Sequence, residues 1–220
     1  MILTVAAGKG GVGKSTIAYN LGAELGAVVV DADLGMADLP AGRGPDLHDV
    51  LAGRATAVEA VREAGPVALL PCGRSLAGAR AADPTDLVGA VESVAGAYGR
   101  VVIDAPAGMR SDAGTALLAG EACLLVTDAT EPAIADAVRT RELARAVETP
   151  LARVALNHAD RSVPTEGIAT ALGGPVCRIP DSAALARAQR AGQPVRELAP
   201  DAPAARALAE LADRLQETLA

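Results

Sequence analysis

The sequence predicts an α/β fold, a doubly wound and mainly parallel sheet with helices on both faces. Three observations predict it. Short apolar runs recur along the 220 residues, and most are unbroken rather than alternating, as strands covered on both faces require. Helix-like stretches separate them, so strand and helix alternate. The first apolar run leads straight into Gly8-Lys9-Gly10-Gly11-Val12-Gly13-Lys14-Ser15-Thr16, which fits G-x-x-x-x-G-K-[ST], the phosphate-binding loop. The expected architecture is therefore a P-loop nucleotide-hydrolase fold.

The elements follow in order. The strand Ile2–Ala7 feeds the loop, and the helix Ser15–Leu25 leaves it. Backbone N–H groups must close around phosphate oxygens there, and a Cβ at several of these positions would block the approach. The helix points the positive end of its dipole at the same place. Lys14 supplies a compact charge for the β- and γ-phosphates, and Ser15 a hydroxyl for Mg²⁺. Lys9 and Lys14 are the only two lysines in the chain. Every other long basic side chain is arginine, so a slim, point-like ammonium is favoured at both places.

The second strand, Val28–Val30, runs into Asp31-Ala32-Asp33-Leu34-Gly35. Carboxylates at spacing two on a strand end share a face. Beside a triphosphate, Mg²⁺ and an attacking water need such acceptors. A lone D-x-D would read as a polar turn; its place one helix after a phosphate loop decides otherwise. Residues 36–53 form a Gly- and Pro-rich segment, expected to be a mobile loop, that leads into a short helix at Leu47–Leu51. His48 reads as a surface or helix-end histidine. A third strand is expected at Val67–Leu70, a small-residue loop around Leu76–Pro84, and a helix at Pro84–Ala95.

The strand Val101–Ile103 closes on Asp104, placed to accept from Mg²⁺-bound waters or from the loop serine. Pro106 and Gly108 then fix a turn whose backbone can approach a γ-phosphate. Helices at Asp112–Ala119 and Pro132–Glu148 flank a strand at Cys123–Thr127. The strand Val154–Leu156 ends in Asn157, an amide that donates and accepts as an adenine edge requires. The last strand, Val176–Ile179, ends in Pro180-Asp181, with Asp181 or Ser182 capping the helix Ser182–Ala191. In the helix Ala204–Leu219, Leu208, Leu211, Leu215 and Leu219 recur at helical spacing and read as core. Doubly wound sheets bind ligands at the carboxyl ends of their strands, and every motif above follows a strand.

Bulk properties narrow the function. The length suits one domain, residues 1–220. A net charge of −7 argues against a broad cationic surface for DNA or anionic lipid. With no Phe, no Trp and two Tyr, the core must be built from Leu, Val, Ile and Ala. Cys72, Cys123 and Cys177 are odd in number and lack C-x-x-C spacing, against a disulfide framework or a zinc or iron–sulfur site within one chain. Cys123 and Cys177 read as buried small hydrophobes. No signal peptide or membrane-length apolar run is visible, so a cytoplasmic location is expected.

These residues resemble the MinD/ParA family of ATPases with a deviant phosphate loop, closer to its MinD branch. The likeness rests on Gly8–Thr16 with Lys9, Asp31-Ala32-Asp33-Leu34-Gly35-Met36, Leu47-His48-Asp49-Val50-Leu51, Asp104-Ala105-Pro106-Ala107-Gly108, Asn157 and Ile179-Pro180-Asp181. It implies a homodimer that sandwiches two Mg-ATP, with Lys9 of each subunit crossing to the phosphates of the other. Lys14 would hold the β/γ-phosphates and Thr16 the α-phosphate. Ser15 would ligate Mg²⁺, Asp33 would orient the attacking water, and Asp31 and Asp104 would support the metal's water shell. Asn157, Pro180 and Asp181 would frame adenine. ATP hydrolysis to ADP, weak alone and raised by a protein activator or cargo, would dissolve the dimer. The chain departs from the MinD pattern at Asp38, at Thr127-Asp128-Ala129 and at His158, and its last helix lacks the basic amphipathic membrane anchor of bacterial MinD. Two other classes stay open. A ParA-like DNA-partitioning ATPase would need a patch of arginines such as Arg187, Arg190, Arg196 and Arg206. An iron–sulfur carrier on the same fold would need Cys72 to meet its twin across a dimer. A biosynthetic ligase of the related group usually lacks Lys9 and ranks last.

Overall fold

The computed structural model describes every residue except 35–38, 40–42, 74 and 220. Seven strands form one sheet in the order β3-β2-β4-β1-β5-β6-β7. They are β1 (Ile2–Ala6), β2 (Val28–Asp31), β3 (Leu69–Leu70), β4 (Val101–Asp104), β5 (Ala122–Thr127), β6 (Leu151–Asn157) and β7 (Val176–Ile179). Every pairing is parallel. The seven apolar runs of the sequence are these strands.

Side chains alternate between two cores across the sheet. From β1, Leu3 and Val5 enter one core, while Ile2 and Ala6 enter the other. The first core is covered by α1 (Lys14–Leu25) and by Leu208, Leu211 and Leu215 of the final helix, α11 (Pro203–Leu219). The second is covered by α2 (Leu47–Leu51), α3 (Ala57–Ala60), α5 (Leu87–Tyr98) and α6 (Ser111–Leu118). A third cluster forms where α7 (Glu131–Ala146) and α8 (Glu166–Leu172) meet β6. Small residues bring helix and sheet together: a Cβ on Gly22 of α1 would overlap Val29 of β2.

Several expectations are corrected. Residues 76–81, expected to be loop, form the helix α4 (Leu76–Ala81), whose first turn Ser75 caps by accepting from the Gly78 N–H. The helices α3, α8 and α10 (Val195–Leu198) went unread in the sequence. Cys123 is buried as expected, but Cys177 is partly exposed on edge strand β7. His48 lies buried in α2, not at the surface. Ser182 provides the expected cap for α9 (Ala183–Arg190), accepting from the Leu185 N–H. Gly35, Met36 and Asp38 lie outside the described residues, as do residues 37 and 40–42 of the segment expected to be mobile.

Candidate nucleotide-binding site

Where β1 ends at the middle of the sheet, the chain must turn sharply into α1. Gly13, at φ +91°, makes that turn and caps the helix from the left-handed region. The turn opens a cleft of about 1120 Å³ at the carboxyl edge of the strands. One wall is the loop itself: Lys9, Gly10, Gly11, Gly13, Lys14, Ser15 and Thr16. The other is built by the ends of β6 and β7, from Asn157, His158, Pro180 and Asp181, and by α9. Asp33 and Arg110 also line the cleft.

The loop glycines divide by task. A Cβ at Gly10 or Gly11 would stand in open space, and both residues line the cleft, so as glycines they leave room for a ligand to approach the backbone. Gly8 instead lies against α7, where a Cβ would overlap the Asp136 backbone. A Cβ at Gly13 would collide with the Asn157 amide. Val12 is buried and takes part through its backbone, its carbonyl accepting from Asn157 Nδ2 at 2.8 Å. The amide expected to face adenine ties β6 to the phosphate loop.

Behind the loop lies a buried charged cluster. The register sets Asp31 of β2 beside Asp104 of β4. Lys14 Nζ stands 2.6 Å from Asp104 Oδ1 and 3.3 Å from Ser15 Oγ. All three charged residues are buried. Burial, and then the negative charge of Asp104, push the Asp31 carboxyl up to about 7. Its Oδ2 is buried without a hydrogen-bond partner among the described residues. Asp33, two residues on, sits apart from this pair and reaches the cleft, while its N–H donates to Asp31 Oδ1 at 3.3 Å.

The residues fit a magnesium nucleotide. Glycines, a lysine and a serine line the cleft, and the raised-pKa Asp31 carboxyl, whose Oδ2 has no partner among the described residues, would be relieved by a cation nearby. Among the described residues, no group of three or more His, Cys, Asp or Glu side chains is arranged to hold a metal by itself. Magnesium suits such a place, because it keeps several waters and shares phosphate oxygens.

Lys9 stands at the cleft mouth. Its Nζ is 3.3 Å from Asp128 Oδ2 and 3.4 Å from Thr130 Oγ1, both in the turn after β5. The sequence reading missed this partner, although Asp128 follows a strand just as Asp31 and Asp104 end theirs. It also missed the contact of His158 Nδ1 with Asp181 Oδ1 on the far wall, where His158 takes a left-handed φ of +55°. Cys72 is buried, away from any surface where a twin sulfur would meet it. Of the arginines considered for DNA, Arg196 binds the Ala23 carbonyl and Glu24, and Arg206 binds the Asp201 carbonyl.

Comparisons with known proteins agree with this geometry. The family described as the CobQ/CobB/MinD/ParA nucleotide binding domain matches residues 3–195. An uncharacterized ATP-binding protein of Methanocaldococcus jannaschii is 38% identical over 172 residues, 73% of this chain and 65% of its own length. The chain thus spans just under two thirds of that relative. The crystal structure of the cell division ATPase MinD of Pyrococcus furiosus is 31% identical and superposes with a TM-score of 0.91 over 100% of this chain and 99% of its own. The septum site-determining protein MinD of Pyrococcus horikoshii, complexed with Mg-ADP, is 29% identical with a TM-score of 0.91, covering 99% and 96%.

Proposed function

Because the chain belongs to the CobQ/CobB/MinD/ParA nucleotide-binding family, we propose that it hydrolyses Mg-ATP and acts as an ATP-dependent dimerisation switch of the MinD/ParA kind. The observation that carries this reading is Lys9, held at the mouth of a complete phosphate loop and away from that loop's own floor. A lysine there has little to do for a monomer's nucleotide but can reach across an interface.

Each residue then has a task. Lys14 exchanges Asp104 for the β- and γ-phosphates, and Thr16 binds the α-phosphate. Ser15 ligates Mg²⁺, with Asp31 and Asp104 accepting from its waters. Bound there, the metal would neutralise charge on the phosphates. Asp33 orients the attacking water from the cleft side. Lys9 leaves Asp128 and meets the phosphates held by the other subunit, stabilising charge that develops there. Asn157 keeps its carbonyl oxygen and second amide hydrogen for the base, beside Pro180 and Asp181. The dimer would position or regulate a protein partner, in cell division or in the placement of protein or DNA.

The test is Lys9→Ala. ATP hydrolysis should fall to background while the monomer still binds ADP within about fivefold of the wild type, since one partly exposed ion pair is worth about 1 kcal/mol or less. Wild-type turnover in this variant would refute the crossing lysine.

A further inference from the structure

His48 and Cys72 have no task in the proposed mechanism, yet both are buried next to it. His48 is 3% exposed and Cys72 1%. The Cys72 S–H donates to the Asp33 carbonyl, with Sγ 3.1 Å from the oxygen. His48 Nε2–H donates to the Leu34 carbonyl at 3.1 Å. Ring nitrogen and sulfur are themselves 3.6 Å apart. Two successive carbonyls just past β2 are therefore held from behind, by one side chain of α2 and one that follows β3.

The surroundings are shaped for the imidazole. A Cβ on Gly73 would overlap the ring, and one on Gly78 would press on it at 3.1 Å. The other ring nitrogen, Nδ1, is buried with no hydrogen-bond partner among the described residues. A leucine would fill such a site without stranding a polar atom. Histidine makes sense there for its Nε2–H, the one polar contact the ring gives to backbone among the described residues.

Asp33 gains most from this arrangement. Its N–H is bound by Asp31 Oδ1 and its carbonyl by Cys72, while its side chain lines the cleft. With both ends of the residue held, the stretch of backbone from which the carboxylate projects into the cleft is held as well. We propose that His48 and Cys72 are positioning residues that clamp the Asp33–Leu34 backbone and so aim Asp33 at the attacking water. The inference rests on the role of Asp33 in the proposed function. It also makes α2 and the turn after β3 a lever on hydrolysis, because any displacement of either loosens the clamp.

Two pairs of variants test it. His48→Leu and Cys72→Ala remove the donors; His48→Gln and Cys72→Ser keep an N–H or O–H near the same place. Basal hydrolysis by the purified chain should lose roughly three- to tenfold in kcat in each deletion variant, the effect of one net hydrogen bond. KM and ADP affinity should stay within about twofold. The conservative partners should recover most of the rate. Unchanged kcat in both deletion variants would overturn the clamp. So would kcat, nucleotide affinity and melting temperature falling together, because a merely structural role does that. If His48→Leu does not fold, the Cys72 pair, which differs by single atoms, decides. Asp33→Ala separates the two failures: if it hydrolyses ATP at the wild-type rate, the role of Asp33 is wrong; if it is inactive while both deletion variants keep the wild-type kcat, only the clamp is wrong.

Discussion

Asp31 carries the sharpest consequence at the scale of single residues. Its carboxyl has an ordinary value near 3.8 and is pushed up to about 7 by burial and by Asp104. Between those pH values the folded chain holds a proton that the unfolded chain has released. Stability of the nucleotide-free protein should therefore fall as pH rises from about 4 to about 7, then level off. Asp31→Asn should be more stable than the wild type at pH 8, by up to about 4 kcal/mol, and gain little at pH 4. Urea unfolding at the two pH values without Mg²⁺ or nucleotide checks this, and an equal gain at both would contradict it. Asp31, Asp33 and Asp104 were legible in the sequence because each lies at or just past the carboxyl end of a strand, beside a phosphate loop. The tie from Asn157 to Val12, the pairing of Lys9 with Asp128 and the burial of His48 were not. They join residues 145, 119 and up to 30 positions apart, respectively. Such contacts depend on how strands assemble and leave no local pattern.

Among the elements, strands were easier to read than short helices. Every strand carries an apolar run, and burial on both faces leaves most of them unbroken; only β6 and edge strand β7 are interrupted by a charged side chain, Arg153 and Arg178. The helices α3, α4, α8 and α10 are four to seven residues long. Helices that short are not stable alone and form because caps and tertiary contacts hold them. One signal was present in the sequence: Thr56 and Glu59 make the reciprocal capping box that starts α3. The final helix shows the opposite case, where periodicity alone sufficed. Leu208, Leu211 and Leu215 of α11 are all buried in the core shared with α1. Leu211→Ala should cost about 3 kcal/mol of unfolding free energy, as large-to-small core changes do. Nucleotide affinity should hardly change, because α11 contributes nothing to the lining of the cleft. Denaturant titration with and without ADP would show both.

For the whole molecule, strand order decides where chemistry collects. β1 lies between β4 and β5, and β2 pairs with β4 on its far side. The turns after these strands, with those after β6 and β7, meet at one edge, so residues from position 9 to position 189 line a single cleft. Among the described residues, no helix is long and apolar enough to cross a membrane. The proposed dimer closes that cleft edge against its copy. Asp33→Ala, which removes the carboxylate that orients water, should accumulate with ATP as a dimer on a sizing column and return to monomer with ADP. A monomer alone at saturating ATP would contradict the sandwich.

The pairing of Lys9 with Asp128 gives such a dimer an exponent. Each protomer must break its own pair before its lysine can cross, so a dimer breaks two. A partly exposed pair is worth up to about 1 kcal/mol, and the doubled cost, about 2 kcal/mol, amounts to roughly 30-fold in the dissociation constant. Whatever weakens one pair by a given factor strengthens assembly by the square of it. Ionic strength, or a partner that captures Asp128, would then act on assembly twice through a single contact.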